Sequence, residues 1–169
     1  MEGQTYNVLF LCTGNSARSI MAEVLLNRIG AGRFRAFSAG SQPRGEVNPL
    51  TLKTLLEFGE SIEGLRSKSW NEFSTPHAPQ LDFLFTVCGN AAREQCPIWP
   101  GQPIAAHWGI DDPAAVEGTE AQKLRAFRDA YQALQTRIRL FSSLRIALLD
   151  RVTLQREIRG IGKATEKPV

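Results

Sequence analysis

The stretch "FLCTGNSARS", residues 10–19, sets a cysteine at the end of an apolar run and an arginine six positions later, with small residues between them. A loop that leads from a strand into a helix presents backbone N–H groups without intrahelical partners, together with the positive end of the helix dipole. Such a loop is an anion cradle. Gly14 lets its backbone come close to a ligand, and Asn15 tolerates left-handed geometry. Arg18 can fold back one turn and offer a planar fork to two oxygens of a tetrahedral oxyanion. The same field stabilises a thiolate, so Cys12 is expected to lose its proton more easily than a free cysteine, with the Ser19 hydroxyl in reach of its sulfur. The spacing therefore predicts a nucleophilic Cys12 beneath an oxyanion held by Thr13, Gly14, Asn15, Ser16, Ala17, Arg18 and Ser19. A lone buried thiol ordinarily packs as a small hydrophobe; the strand–loop–helix setting is what argues for chemistry.

Two more thiols, Cys88 and Cys96, stand in "VCGNAAREQC" with seven residues between them. A zinc pair ordinarily has two to four. Gly89, Asn90 and the two alanines after them make a segment able to turn and reshape, as thiol–disulfide exchange would require. In "IDDPA" two carboxyl groups, Asp111 and Asp112, precede Pro113. A carboxyl on a loop reaching over a bound oxyanion can protonate a departing oxygen. Asp-Pro is also an ordinary turn signal, and that reading competes. His107 reads as a packed or hydrogen-bonded loop residue, and Trp108 as packing beneath the Asp loop.

These residues need elements to position them. Residues 6–11 form a short, nearly continuous apolar run, as in a strand buried on both faces. Met21, Val24, Leu25, Arg28 and Ile29 then fall at helical spacing, with Gly30 as a stop. Residues 33–40 read as a second strand. Asn48 and Pro49 give a cap and first-turn proline for a helix carrying Leu52, Leu55 and Leu56. Residues 83–88 read as a third strand, also ending in a cysteine, and 103–108 as a fourth. Thr119 and Gln122 make a capping box ahead of Leu124, Phe127, Tyr131, Leu134, Ile138 and Phe141. Residues 145–157 suit a short amphipathic helix, and the last dozen read as loose. Alternating strands and helices predict an α/β fold with a four-stranded parallel sheet and helices on both faces. In such folds functional groups gather outside the carboxyl ends of the strands, where Cys12 and Cys88 both lie.

"LFLCTGNSARSIMAE", "FSAG", "TVCGNAAREQCP" and "HWGIDDPA" together resemble the low-molecular-weight protein tyrosine phosphatase fold, and more closely the arsenate reductases that share it. The resemblance covers about residues 6–141 and implies a phosphatase-like domain in residues 1–144, with 145–169 as an extension that is partly helical and then flexible. It implies Cys12 as nucleophile, Arg18 as charge clamp and Asp112 as general acid, with Asp111 as the fallback. It also implies a relay: Cys88 attacks the Cys12–arsenic adduct, arsenite leaves, and Cys96 moves the disulfide to Cys88–Cys96. Thioredoxin-coupled members have a closer resolving pair and a cysteine where Ala17 stands. The role of Cys96 therefore stays open, and so does the external reductant, thioredoxin or glutathione with glutaredoxin; no bound cofactor is implied. Phosphatases of this fold follow Asp-Pro with an aromatic residue that binds phosphotyrosine, whereas Ala114 and Ala115 follow it here. That favours arsenate, with phosphate and sulfate as mimics, and leaves a tyrosine or small-phosphomonoester phosphatase as the alternative. Some members bind potassium beside the loop. Asn15, Glu23 and Ser38 match part of that site, but "RSKSWNEF" lacks the expected acid and Lys68 opposes a cation, so no metal is expected.

Bulk properties narrow the classes further. The chain has 169 residues, 43% hydrophobic and 22% charged, enough for one domain with a real core. Its net charge of +3 arises in residues 145–169, where six Lys and Arg meet three Asp and Glu. The body has no broad nucleic-acid footprint. "GIGKAT" echoes a nucleotide-binding loop, but Glu157 and Ala164 stand where that motif needs Gly and Ser or Thr. No stretch is long enough to span a membrane and the start does not read as a signal peptide. With three cysteines, an odd number, the expectation is a cytoplasmic protein with free or redox-active thiols.

Overall fold

The computed structural model describes residues 4–88, 99 and 102–163. In strand β1 (Tyr6–Leu11) the residues Val8, Leu9, Phe10 and Leu11 are wholly buried, which requires cover on both faces of the sheet. β2 (Phe34–Ala39) pairs with one edge of β1 and β3 (Phe83–Thr86) with the other, while β4 (Ile104–His107) pairs with β3. Every pairing is parallel and the order is β2-β1-β3-β4, so the predicted four-stranded parallel sheet is what forms. β3 and β4 are shorter than the predicted 83–88 and 103–108, although Val87 still donates to the Leu11 carbonyl at 2.9 Å.

α1 (Arg18–Ile29) follows β1, and α2 (Pro49–Glu57) follows β2. α2 opens as predicted: the Asn48 side chain accepts from the Leu50 N–H at 2.9 Å, and Pro49 occupies the first turn. α3 (Glu120–Ser142) opens on the predicted capping box and buries Leu124, Phe127, Tyr131, Leu134, Ile138 and Phe141. The helix expected over residues 145–157 lies later, as α4 (Arg151–Ile161). The Asp150 carboxylate caps it by accepting from the Thr153 N–H at 2.7 Å, and Leu154, Ile158 and Ile161 bury its apolar face. Residues 158–161, expected loose, therefore belong to a packed helix. No helix among the described residues is long and apolar enough to cross a membrane.

The register fixes where chemistry can sit. Leu11 pairs with Ala39 on one side and Thr86 on the other, and Thr86 pairs with His107. All four strands thus end at one level. The chain turns to opposite sides of β1 to form β2 and β3, so the crevice of the doubly wound sheet opens at the carboxyl ends of β1 and β3.

Candidate active site

Cys12 leaves β1 with its N–H donating to the Ala39 carbonyl at 3.2 Å. The loop behind it turns its carbonyls outward into protein bonds. The Thr13 carbonyl accepts from the Gln42 N–H, Gly14 from the Arg44 N–H and the Ser67 hydroxyl, and Ser16 from the Asn48 N–H and the Thr51 hydroxyl. Among the described residues, none of the backbone N–H groups of residues 14–18 donates to another protein group. Ala17 precedes α1 without a capping side chain, and the first turn of α1 holds no acid. The loop therefore surrounds a cavity of about 370 Å³ with donors. Thr13, Gly14, Asn15, Ser16, Ala17 and Arg18 all line it.

Asn15 sets this shape. It is fully buried at φ 45°, where its side chain accepts from the Lys68 N–H at 2.9 Å and donates to the Ser19 hydroxyl at 2.8 Å. Ser19, expected toward the sulfur, instead holds Asn15 and lies outside the cavity lining. Lys68 is itself buried. Its ammonium lies 3.6 Å from the Glu23 carboxylate and donates to the Ser38 hydroxyl at 3.4 Å and the Arg66 carbonyl at 3.0 Å. An amine thus occupies the polar recess formed by Glu23 and Ser38, and burial pulls the Lys68 pKa down. Gly40 lies so close beneath the loop that a Cβ there would come within 2.8 Å of the Cys12 carbonyl oxygen.

Cys12 and Cys88 are both buried and both line the cavity. The two thiols stand close enough to influence each other's titration. The Thr13 N–H donates to Cys88 Sγ at 3.3 Å, and the Thr13 hydroxyl stands 3.6 Å from it. The Cys12 pKa moves against the sequence expectation. The neighbouring Cys88 thiol first, by favouring the protonated form, and burial second push it up; the charge of Arg18 pulls down without prevailing. The expectation considered the loop's field alone, whereas adjacent thiols titrate as a pair. Cys96 lies outside the described residues, as do the residues between it and Cys88 expected to reshape.

The acid loop enters from β4. Arg18 Nη1 donates to the Ile110 carbonyl at 2.9 Å, and Nη2 stands 3.6 Å from the Asp112 carboxylate. Asp112 lines the cavity and also accepts from the Ala114 N–H at 2.9 Å, so the turn-capping and catalytic readings are compatible in one side chain. Asp111 lines a neighbouring cavity instead. Trp108 is fully buried and stacks on Phe85 with centroids 3.8 Å apart, and His107 Nδ1 meets the Thr86 hydroxyl at 2.7 Å. Sequence reasoning missed Gln42 and Arg44, which reach the cavity from the loop after β2, whereas Ala114, singled out after the Asp-Pro pair, does line its wall. The strand-end rule pointed to "SQPRG", but a polar loop there reads equally as solvated surface. Among the described residues, no group of three or more His, Cys, Asp and Glu could hold a metal ion.

The family model for low molecular weight phosphotyrosine protein phosphatase matches residues 7–153. The arsenate reductase of Halalkalibacterium halodurans is 37% identical over 135 residues, 80% of this chain and 94% of that protein. A solved arsenate reductase in the phosphate binding state is 26% identical with a TM-score of 0.62, covering 82% of this chain and 98% of that one. The thioredoxin-dependent arsenate reductase of Corynebacterium glutamicum is 25% identical with a TM-score of 0.54, covering 83% of this chain and 65% of that one. By these likenesses the chain belongs to the low molecular weight phosphotyrosine protein phosphatase family, and within it to the arsenate reductases.

Proposed function

We propose that this protein reduces arsenate to arsenite with Cys12 as nucleophile. The observation that carries the reading is the second thiol. Cys88 is buried and lines the same oxyanion cavity as Cys12, whereas a phosphatase needs only one cysteine. Arsenate seats on the amides of residues 14–18, with Arg18 across two oxygens. Cys12 Sγ bonds to arsenic while one arsenate hydroxyl leaves as water, taking its proton by way of Asp112. Cys88 Sγ then attacks Cys12 Sγ. The S–As electron pair passes to arsenic, the Cys88 proton ends on the departing arsenite, and a Cys12–Cys88 disulfide remains.

Two electrons from outside must reopen that disulfide. Cys96 as resolving thiol and a thioredoxin as donor fit the likeness to the thioredoxin-dependent relative; glutathione with glutaredoxin is the other route. Free thiols of this kind work in a reducing compartment such as the cytoplasm. Cys12, Gln42, Arg44, Cys88 and Asp112 all precede residue 144, which supports residues 1–144 as the catalytic unit and 145–169 as an extension.

Ala114 in the cavity wall gives an aryl ester no ring to stack on. Some phosphatase activity is nonetheless expected, because the cradle distinguishes arsenate from phosphate poorly. Cys88→Ser separates the two activities. Arsenite formation should stop while hydrolysis of an aryl phosphate survives; arsenite formation at the wild-type rate would sink the relay.

A further inference from the structure

Arg137 lies in the apolar stripe of α3 between Leu134 and Ile138 and is 3% exposed. A guanidinium is costly to remove from water unless its bonds are well matched. Its Nη1 donates to the Trp108 carbonyl at 2.6 Å and the Gly109 carbonyl at 3.1 Å. The next carbonyl, that of Ile110, accepts from Arg18. Three successive carbonyls at the root of the acid loop are thus bound by two guanidinium groups, one inside the oxyanion cavity and one behind the loop. From the far side, α4 fixes the same root, where the Trp108 indole N–H donates to the Ile158 carbonyl at 2.8 Å.

The two arginines differ in what substrate does to them. Arg18 must divide its donors among the Ile110 carbonyl, Asp112 and the oxygens of a bound anion. Arg137 does not line that cavity, so its hold on the loop is independent of substrate. We propose that Arg137 is a positioning residue for arsenate reduction, holding the root of the acid loop so that Asp112 stays over the oxyanion while Arg18 turns to it. The proposal rests on the role of Asp112 as proton donor given above.

Arg137→Lys keeps the charge and gives up the planar fork; Arg137→Gln, which keeps an amide donor, serves if the lysine variant melts early. Inorganic phosphate affinity and single-turnover arsenite formation are measured in the wild-type and Asp112→Asn backgrounds. Residues acting through one another give non-additive losses. Arg137→Lys is expected to slow arsenite formation about tenfold or more in the wild-type background, within the range general acids contribute. It should change the Asp112→Asn rate and the phosphate Kd by less than about twofold. Equal losses in both backgrounds, or phosphate binding weakened in proportion, overturn the proposal. Hydrogen exchange at the Ile110 amide, bonded to the Val87 carbonyl at 3.2 Å, reads the clamp without any turnover. Faster exchange there, with α3 unchanged, is expected of Arg137→Lys, and unchanged protection overturns the clamp even if the chain reduces no arsenate. Absent arsenite from wild-type protein that binds phosphate refutes the proposed function instead.

Discussion

The Thr13 N–H, first in the oxyanion loop, donates to the sulfur of Cys88 at 3.3 Å, although Cys88 lies 75 positions away in the chain. The loop therefore supports charge on the second thiol as well as the first. Because Cys88 is the leading cause of the raised Cys12 pKa, Cys88→Ala is expected to lower it. The pH profile of Cys12 alkylation should shift to lower pH. At about pH 8, near the free-thiol range, iodoacetamide should label Cys12 several-fold faster than in wild type. Mass spectrometry locates the label, and an unshifted profile would leave burial as the sole cause.

Gly40 sits where a side chain would strike the carbonyl oxygens of Cys12 and Thr13. Relief requires moving the oxyanion loop or β2. Gly40→Ala is expected to cost about 1–3 kcal/mol of stability, as overpacking does. Thermal melts and phosphate calorimetry check this, with phosphate affinity expected to fall further than stability alone explains.

Arg44 meets the cavity at its mouth, with Nε 3.2 Å from where a Cβ on Gly14 would stand. An exposed guanidinium there adds attraction for an anion without touching the reacting bond. Arg44→Gln should raise the KM for arsenate roughly three- to tenfold, with little change in kcat and a weaker dependence on salt. Steady-state kinetics at low and high ionic strength test it.

The Lys68 ammonium is what lets the Glu23 carboxylate stay 15% exposed beside Ser38. Lys68→Met leaves that acid without its cation and should cost about 1–3 kcal/mol. Adding Glu23→Gln should recover much of the loss, because replacing both partners avoids a stranded charge. Urea denaturation of both variants checks it; equal destabilisation would show that the pair is not coupled.

How much was legible follows from which interactions are local. The apolar run of β1, the Asn48–Pro49 start of α2 and the Thr119–Gln122 box are short-range signals, and each element formed where it was expected. The cradle was legible because residues 12–18 are contiguous. The meeting of Cys12 with Cys88 followed from the strand-end rule, since Leu11 and Thr86 share a register. The direction of the Cys12 pKa was not legible, because it depends on contact between two loops. α4 was placed too early because the Asp150 cap was not weighed against the amphipathic run before it. Arg137 was not singled out in sequence; only the fold brings the carbonyls of Trp108 and Gly109 to it.

The most direct test uses fully reduced protein freed of reductant, given arsenate, with arsenite quantified and disulfides mapped by mass spectrometry. About one arsenite per protein is expected, with Cys88 in a disulfide to Cys12 or onward to Cys96. Protein whose thiols all stay reduced, with no arsenite in the presence or absence of glutathione, would contradict it and leave a phosphatase.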